Sequence, residues 1–374
     1  MFEIETIKYK SSMTMPSPIE GSREPPFHVV RLNSELFPVH GIEAELYKRF
    51  NLEPKQVEAN TVDSIIPHVA NADALFAVSV SLPKEVIDSL TSCRIISRLG
   101  TGTDKIDVAR ATERGILVSN VPEFGVEDMA DHSMAMILSL QRRLPQMHRQ
   151  MLSGNFFAAR SETTSLLRPG ECVLGLIGFG ASAKAVAARA LPFGFRLLAT
   201  RKNMQARLSD ADHLHVQMVD LSTLLSESDF VSLHLPLDTD SYHLLDESAI
   251  ASMKPGACLI NTSRGAIVDE LALASALQTG HLAGAGLDTF EGIEIFTPNE
   301  HSPEHPLVGL HNVILSPHVS GLSKTAMKTV ANTGVHNLVS VLRGHFPPTE
   351  NIVNPTVVPR IPLEPFDPVF WGHD

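Results

Sequence analysis

Short apolar runs, each bounded by turn-forming residues, recur along the chain and alternate with stretches of helical spacing. Phe27–Leu32, Ala74–Val80, Arg94–Leu99 and Ile116–Ser119 predict strands; Pro83–Leu90 and Asp107–Arg114, between them, predict helices. From Glu127 to Leu152, Met129, His132, Met136, Leu140 and Leu144 fall three and four apart in a Met-, Ala- and Leu-rich stretch, which predicts one long helix. Residues 154–171 read as an irregular loop. A second series follows, with strands at Cys172–Ile177, Phe195–Thr200, Phe230–Leu233, Cys258–Asn261, Ala283–Asp288 and Val313–Ser316, and a closing helix from Lys324 to Arg343. Strands alternating with helices predict parallel sheets covered on both faces. Residues 1–24 are polar and followed closely by Pro25 and Pro26, so they read as a loose extension; the Pro-rich tail beyond Asn354 reads as a surface wrap.

Composition narrows the class. At 374 residues the chain suits two domains, and 43% hydrophobic residues suffice for a sizeable core. A net charge of −12 argues against nucleic acid as a partner. Cys93, Cys172 and Cys258 are scattered in or beside apolar runs, which points to buried reduced thiols and a cytoplasmic setting. The first residues, MFEIETIKYK, lack the apolar core of a signal peptide, and no apolar run reaches the ~20 residues needed to cross a membrane.

The chemistry begins at VLGLIGFGASAKAVAARALPFGFRLLATRK, residues 173–202. A strand, Gly178-Phe179-Gly180, an alanine-rich helix and a second strand make the setting in which G-x-G-x-x-[G/A] marks a dinucleotide site. Gly178 permits the sharp turn, Gly180 lets the backbone approach a pyrophosphate, and Ala183 allows close helix packing. Ala181 and Ser182 open the helix whose amides face the anion. Roughly twenty residues past such glycines an acid usually meets the ribose 2′-hydroxyl. This chain has Thr200-Arg201-Lys202 there, and two cations suit a 2′-phosphate. NADP(H) is therefore the expected cofactor, with NAD(H) as the alternative.

Three more segments sit at strand ends of the second series: His234-Leu235-Pro236, Asn261-Thr262-Ser263-Arg264-Gly265 and Pro317-His318. Hydride transfer to a keto acid needs a cation for the carboxylate, a proton donor for the carbonyl oxygen and a carboxylate to poise that donor. Arg264, His318 and a Glu between them have the required chemistry. His213 and His215 lack companion ligands, so no metal site is expected. His301, His305 and His311 lie in a Pro- and Glu-rich segment and read as solvated.

The segments GLIGFG, DFVSLHLPL, MKPGACLINTSRGAIVDE, GAGLDTFE and HNVILSPHVSG, in that order, together with ISRLGTGTDKIDVARATERGILVSNVP, resemble the D-isomer-specific 2-hydroxyacid dehydrogenases over residues 70–355. The stretch VPEFGVEDMADHSMAMILSLQRR is most similar to the branch holding phosphoglycerate dehydrogenases and the C-terminal-binding-protein co-repressors. The resemblance implies two Rossmann-like α/β domains. A discontinuous substrate domain (25–122 with 322–356) would carry an inserted dinucleotide-binding domain (123–321), followed by the tail 357–374. It implies that Arg264 holds the substrate carboxylate, that His318 is the acid/base, and that a Glu partners His318. It implies that Asp288 meets the nicotinamide carboxamide; that Thr101, His234, Leu235, Pro236, Thr262, Ser263 and Gly321 line the cofactor; and that Val78, Ser79 and Arg98 face the substrate. It further implies a homodimer built partly by the Met-rich helix.

The departures matter. Five residues past Asp288, where the family carries its Glu, stands Ile293; a one-residue insertion gives the role to Glu294, with Glu291 as the alternative. Ala181 replaces an Arg common after the second glycine. Gly321 and Val78 stand where the co-repressors carry Trp and His. The expected activity is NAD(P)H-dependent reduction of a small 2-oxoacid to a D-2-hydroxyacid. The alternative is a catalytically weak dinucleotide-sensing binding protein.

Overall fold

The structure, a computed structural model, describes residues 27–35, 37–39, 41–204, 208–293 and 304–368. Twelve strands form two sheets. The first holds β1 (Val29–Leu32), β2 (Lys55–Val57), β3 (Ala74–Ala77), β4 (Ile95–Arg98) and β5 (Leu117–Ser119) in the order β2-β1-β3-β4-β5. The second holds β6 (Val173–Ile177), β7 (Arg196–Thr200), β8 (Val216–Met218), β9 (Phe230–Leu233), β10 (Cys258–Asn261), β11 (Gly284–Leu287) and β12 (Val313–Leu315), in the order β12-β11-β10-β9-β6-β7-β8. Every strand pairing within the two sheets is parallel. Both orders are doubly wound. Their switch points lie between β1 and β3 and between β6 and β9, and ligands of such sheets bind beside the strand carboxyl ends there.

The predicted strands recur, most of them shorter by a residue or two. Edge strands β2 and β8 were not expected: each has three residues, and only Val57 of β2 and Val216 of β8 are buried, so neither makes an apolar run. The central strands are buried on both faces, as β3 shows (Ala74, Leu75, Phe76 and Ala77 are all inaccessible), which suits sheets flanked by helices. Several helix starts are set by side-chain caps. Asp107, Asp220, Asp246, Asp269 and Ser323 each accept a hydrogen bond from a first-turn amide.

The predicted long helix 127–152 is two helices. Val126–Gln141 packs on the second sheet through Ala130, Met136, Ile137 and Leu140, in the same core cluster as Ala183 and Val186 of the helix Ala181–Ala190. It ends at Arg142, and Arg143 takes a left-handed φ of 51° before Leu144–Leu152 begins. Its apolar period continues across the break, so pattern alone cannot see it. The predicted loop 154–171 contains the helix Phe156–Ser161 and two 3-10 turns.

The closing helix Lys324–Leu342 returns to the first sheet. Val330, Val335, Leu338 and Val339 pack with Val29, Phe76, Ile95 and Leu117, and Ser97 Oγ donates to the Gly334 carbonyl at 2.8 Å. The first sheet is thus covered by a segment that follows the second in the chain. The tail does wrap it. Arg360 donates to the carbonyls of Arg114, Thr91 and Leu90, satisfying groups beside the ends of the helices Lys84–Ser89 and Val108–Glu113. The three cysteines are free and buried, as expected. No described helix is long and apolar enough to cross a membrane.

Candidate active site

The glycine turn follows β6, at the switch point of the second sheet. Gly178 has φ 89°, and a Cβ there would collide with the His234 carbonyl, so the fold itself requires glycine. Gly180 differs. Its φ is −92°, and nothing lies within 4 Å of where its Cβ would stand. The fold tolerates a side chain there; an anion above the turn would not. The helix Ala181–Ala190 has no side-chain cap, so its first amides are free to meet a ligand. Ala183 is fully buried, as close packing on the sheet demands.

Arg201 follows β7. Its guanidinium lies 5.8 Å from the centre of the Phe179 ring, and its Nε and Nη2 are buried without a hydrogen-bond partner among the described residues. Lys202 is different: it is 71% exposed and paired with Asp240 at 2.7 Å and Asp238 at 3.4 Å. The two cations expected to act together are therefore separate, and only Arg201 is uncommitted. His234, after β9, is buried. Its Nε2 lies 2.9 Å from Ser232 Oγ, its Nδ1 is unpartnered, and burial pushes its pKa down to about 4. Leu235 and Pro236 follow it along the same strand end.

The strand end after β10 is a tied turn. Asn261 Nδ2 donates to the Arg264 carbonyl at 2.7 Å, and Asn261 Oδ1 accepts from Ser263 N at 3.0 Å. Ser263 Oγ donates to Leu233 O, and Thr262 Oγ1 lies 3.1 Å from Ser133 Oγ. This turn aims Arg264 across to the first sheet. There its Nη2 and Nε donate to Asp104 Oδ1 at 2.8 and 3.2 Å. The guanidinium lies flat against Gly102, where a Cβ would overlap it. Arg98, at the end of β4, donates to the Gly102 and Leu99 carbonyls. Burial first, then the Arg264 charge, lower its pKa to about 10. Burial raises the Asp104 pKa, but the Arg264 hydrogen bond and charge outweigh it and hold the carboxyl below its usual range. Asp104 and Gly102 escaped the sequence reading; the tight LGTGTD turn was their only signal.

Arg98, Asp104, Arg264 and His318 line one cavity of about 350 Å³ between the two sheets, with Val78 and Ser79 on its wall. His318 has a left-handed φ of 55°, an uncommon conformation for a side-chain-bearing residue. Asp288 holds that turn. It is 0% exposed, accepts from Ser316 Oγ (2.6 Å), Val319 N (3.0 Å) and Ser320 N (2.9 Å), and its own carbonyl accepts from His318 N (2.8 Å). Asp288 thus shapes the His318 turn, a role its strand-end position did not suggest. Burial first, then Arg264, push the His318 pKa down to about 4, with Arg98 adding to them against Asp288 and Asp104.

Glu294 lies outside the described residues, as does His301. Glu291 lines the same cavity as His318, accepts from Tyr242 OH at 3.1 Å and pairs with His243 at 2.8 Å. Thr101 Oγ1 donates to the Val121 carbonyl. Gly321 touches Gly125: a Cβ on Gly125 would lie 2.7 Å from the Gly321 Cα and carbonyl. His305 is not solvated: it pairs at 2.7 Å with Glu270, the two side chains being 6% and 8% exposed. His213 and His215 join no metal-binding group among the described residues.

A family model described as D-isomer specific 2-hydroxyacid dehydrogenase, NAD binding domain, matches residues 134–320. The glyoxylate reductase of Thermococcus litoralis is 34% identical over 325 residues, 86% of this chain and 93% of that protein. The glyoxylate reductase of Korarchaeum cryptofilum is 38% identical over 299 residues, 79% and 86% of the two chains. The D-lactate dehydrogenase of Aquifex aeolicus, solved with NAD and lactic acid, superposes with a TM-score of 0.77 at 27% identity, over 87% of this chain and 99% of that one. The turn and doubly wound sheet define an α/β protein that binds a nicotinamide dinucleotide. The chain belongs to the D-isomer-specific 2-hydroxyacid dehydrogenase family.

The two depressed histidines make stability depend on pH. In the unfolded chain they titrate near ~6.5, and in the native state at about 4. Below pH ~6.5 the unfolded chain binds protons the native state refuses, so stability falls with acidification until about pH 4. The urea midpoint of the wild type should drop between pH 7 and pH 5, and His234→Gln should drop less. A midpoint that rises on acidification contradicts this account.

Proposed function

We propose that the protein reduces small 2-oxoacids to D-2-hydroxyacids at the cleft between its two sheets. One observation carries this reading: Arg264, Arg98 and Asp104 form a cationic seat in the same cavity as His318. Two guanidiniums against one carboxylate leave a single net positive charge, which suits one substrate carboxylate. Arg264 holds that carboxylate and polarises the carbonyl, Arg98, Val78 and Ser79 complete the wall, and His318 protonates the carbonyl oxygen. When bound, the reduced nicotinamide supplies the hydride.

His318 must carry a proton to act as the acid, yet burial and the two guanidiniums hold its pKa low. A carboxylate seated on Arg264 offsets those charges, so substrate binding itself favours the protonated ring. The αL backbone keeps the imidazole aimed at the cavity rather than back along β12. Glu294 remains the proposed carboxylate partner of His318. Gly178, Gly180, Ala181 and Ser182 receive the pyrophosphate, and Thr101, His234, Leu235, Pro236, Thr262, Ser263, Asp288 and Gly321 line the rest of the dinucleotide site. Residues 25–122 with 322–356 form the proposed substrate domain, and 123–321 the cofactor domain. The three buried thiols suit the reducing cytoplasm.

The uncommitted Arg201 supports NADP(H) over NAD(H), because a 2′-phosphate would give its buried nitrogens the acceptors they lack. Exposed apolar side chains support a homodimer. Met151, Leu152, Phe156 and Phe157 crowd the surface of the two short helices after Arg143, and Phe157 is 86% exposed. The Met-rich helix Val126–Gln141 contributes from beneath rather than at that surface.

Steady-state reduction of glyoxylate, hydroxypyruvate and pyruvate tests the activity. Arg264→Ala should cost at least about a hundredfold in kcat/KM and leave dinucleotide affinity unchanged; wild-type turnover in that variant would remove Arg264 from the mechanism. Arg201→Ala should raise the KM for NADPH by about tenfold and spare NADH, and equal effects on both cofactors would refute the 2′-phosphate contact. Sedimentation should show a dimer for the wild type and a monomer for Phe157→Asp; a monomeric wild type rules the dimer out.

A further inference from the structure

A second buried guanidinium cluster borders the same cavity, at the switch point of the first sheet. Arg31, in β1, is 2% exposed. Its Nε donates to Glu43 Oε1 at 2.8 Å, and its Nη2 to Glu43 Oε2 at 3.3 Å and to the Phe37 carbonyl at 2.8 Å. Tyr47 OH donates to Glu43 Oε1 at 2.5 Å. The remaining nitrogen, Arg31 Nη1, is buried and has no hydrogen-bond partner among the described residues. A buried donor left unpaired is destabilising, because its lost hydration is not replaced.

The fold offers no reason for that cost. The other residues of β1 are Val29, Val30 and Leu32, and a buried ion pair is generally no more stabilising than apolar side chains of its size. The position does offer one. Strands β1 and β3 part at the switch point, where doubly wound sheets receive ligands. Arg31 and Glu43 line the cavity that also holds Arg264 and His318. Val78, Met327 and Val330 give that cavity an apolar wall. Arg31 and Arg98 flank β3 on strands two apart, roughly 10 Å in the hydrogen-bonding direction.

We propose that Arg31 is a specificity-determining residue. The substrate is a 2-oxoacid whose side chain has an apolar stem ending in a neutral oxygen acceptor, and Arg31 Nη1 donates to that oxygen. The stem lies along Val78, Met327 and Val330. Glu43 already balances the Arg31 charge, so a second carboxylate would meet a carboxylate as well as a guanidinium; the cluster selects against diacids. The inference rests on the reductase reading, which puts the other end of the acid on Arg264.

The test compares three acids of equal length, 2-oxohexanoate, 6-hydroxy-2-oxohexanoate and 2-oxoadipate, with glyoxylate as a reference too short to reach β1. The wild type should prefer the terminal hydroxyl over the terminal methyl by about tenfold in kcat/KM and should handle the diacid worst. The double variant Arg31→Met/Glu43→Gln, which removes donor and charge together, should abolish that preference and leave glyoxylate reduction unchanged. A wild type indifferent to the terminal group overturns the proposal. So does a double variant that loses glyoxylate activity in step with the longer acids, since that marks a merely structural role. Thermal shifts of the dinucleotide-bound protein with the matching 2-hydroxyacids give the same comparison without turnover. A wild type that reduces none of the acids yet shows the hydroxyl preference in Tm would therefore fault the reductase reading and keep the Arg31 contact.

Discussion

The ion pair between Arg264 and Asp104 is the contact on which the cleft depends. Arg264 stands at the end of β10 in one sheet; Asp104 follows β4 in the other. The pair therefore links the two halves and sets the charge of the space between them. Both side chains are partly exposed, so as a strut the pair adds little. Its consequence is electrostatic. Arg264 and Arg98 face the same cavity, and together with burial they keep the His318 ring neutral. A ligand carboxylate placed there competes with Asp104 for Arg264 and relieves the field on His318 in one act. The proposed seat and the proposed acid are thus coupled through charge.

Glycines around the cleft divide by what they spare. Gly178 spares a backbone collision with His234 and takes a left-handed φ, so it belongs to the fold. Gly102 spares the Arg264 guanidinium and so belongs to the seat. Gly125 spares a collision with the backbone of Gly321, where the chain leaves the first sheet and where it comes back. Gly180 alone among these five has nothing of the described protein within 4 Å of where its Cβ would stand, and its φ suits any residue. A glycine the fold does not need, above uncapped helix amides, is explained by what comes to rest on it.

The sheet strands other than the edge strands β2 and β8, and the glycine turn after one of them, were legible because buried parallel strands are continuous apolar runs, and such runs are rare enough to stand out. Seven helices among the described residues were not read: Ile42–Phe50, Val62–Val69, Phe156–Ser161, Leu208–His213, Leu221–Glu227, Glu247–Ser252 and Glu270–Gln278. Their caps were visible at Asp220, Asp246 and Asp269, but short helices carry too few turns for a period. Arg264 and His318 were legible from the segments around them. Asp104 and the buried pair of Glu270 with His305 were not, because each acts through a partner far along the chain. The pairing of Lys202 with Asp238 and Asp240 was hidden for the same reason: sequence shows that a cation is present, not that it is already spent.

Buried donors and acceptors without partners are the mirror image of those spent charges. Arg201 follows β7, His234 follows β9, Thr289 follows β11, and Arg31 lies in β1 beside the first switch point; each has an unpartnered buried atom. These are carboxyl ends of strands, where a doubly wound sheet meets its ligands. Others, such as Gln146 and Gln150, lie on the helix Leu144–Leu152 under the apolar surface proposed for the dimer. A core of parallel strands satisfies its own backbone through the ladder and needs no polar side chains to do so. Polar side chains that are buried and still unpaired are therefore costs the fold did not have to bear, and those at the strand ends sit where a bound ligand would remove the cost.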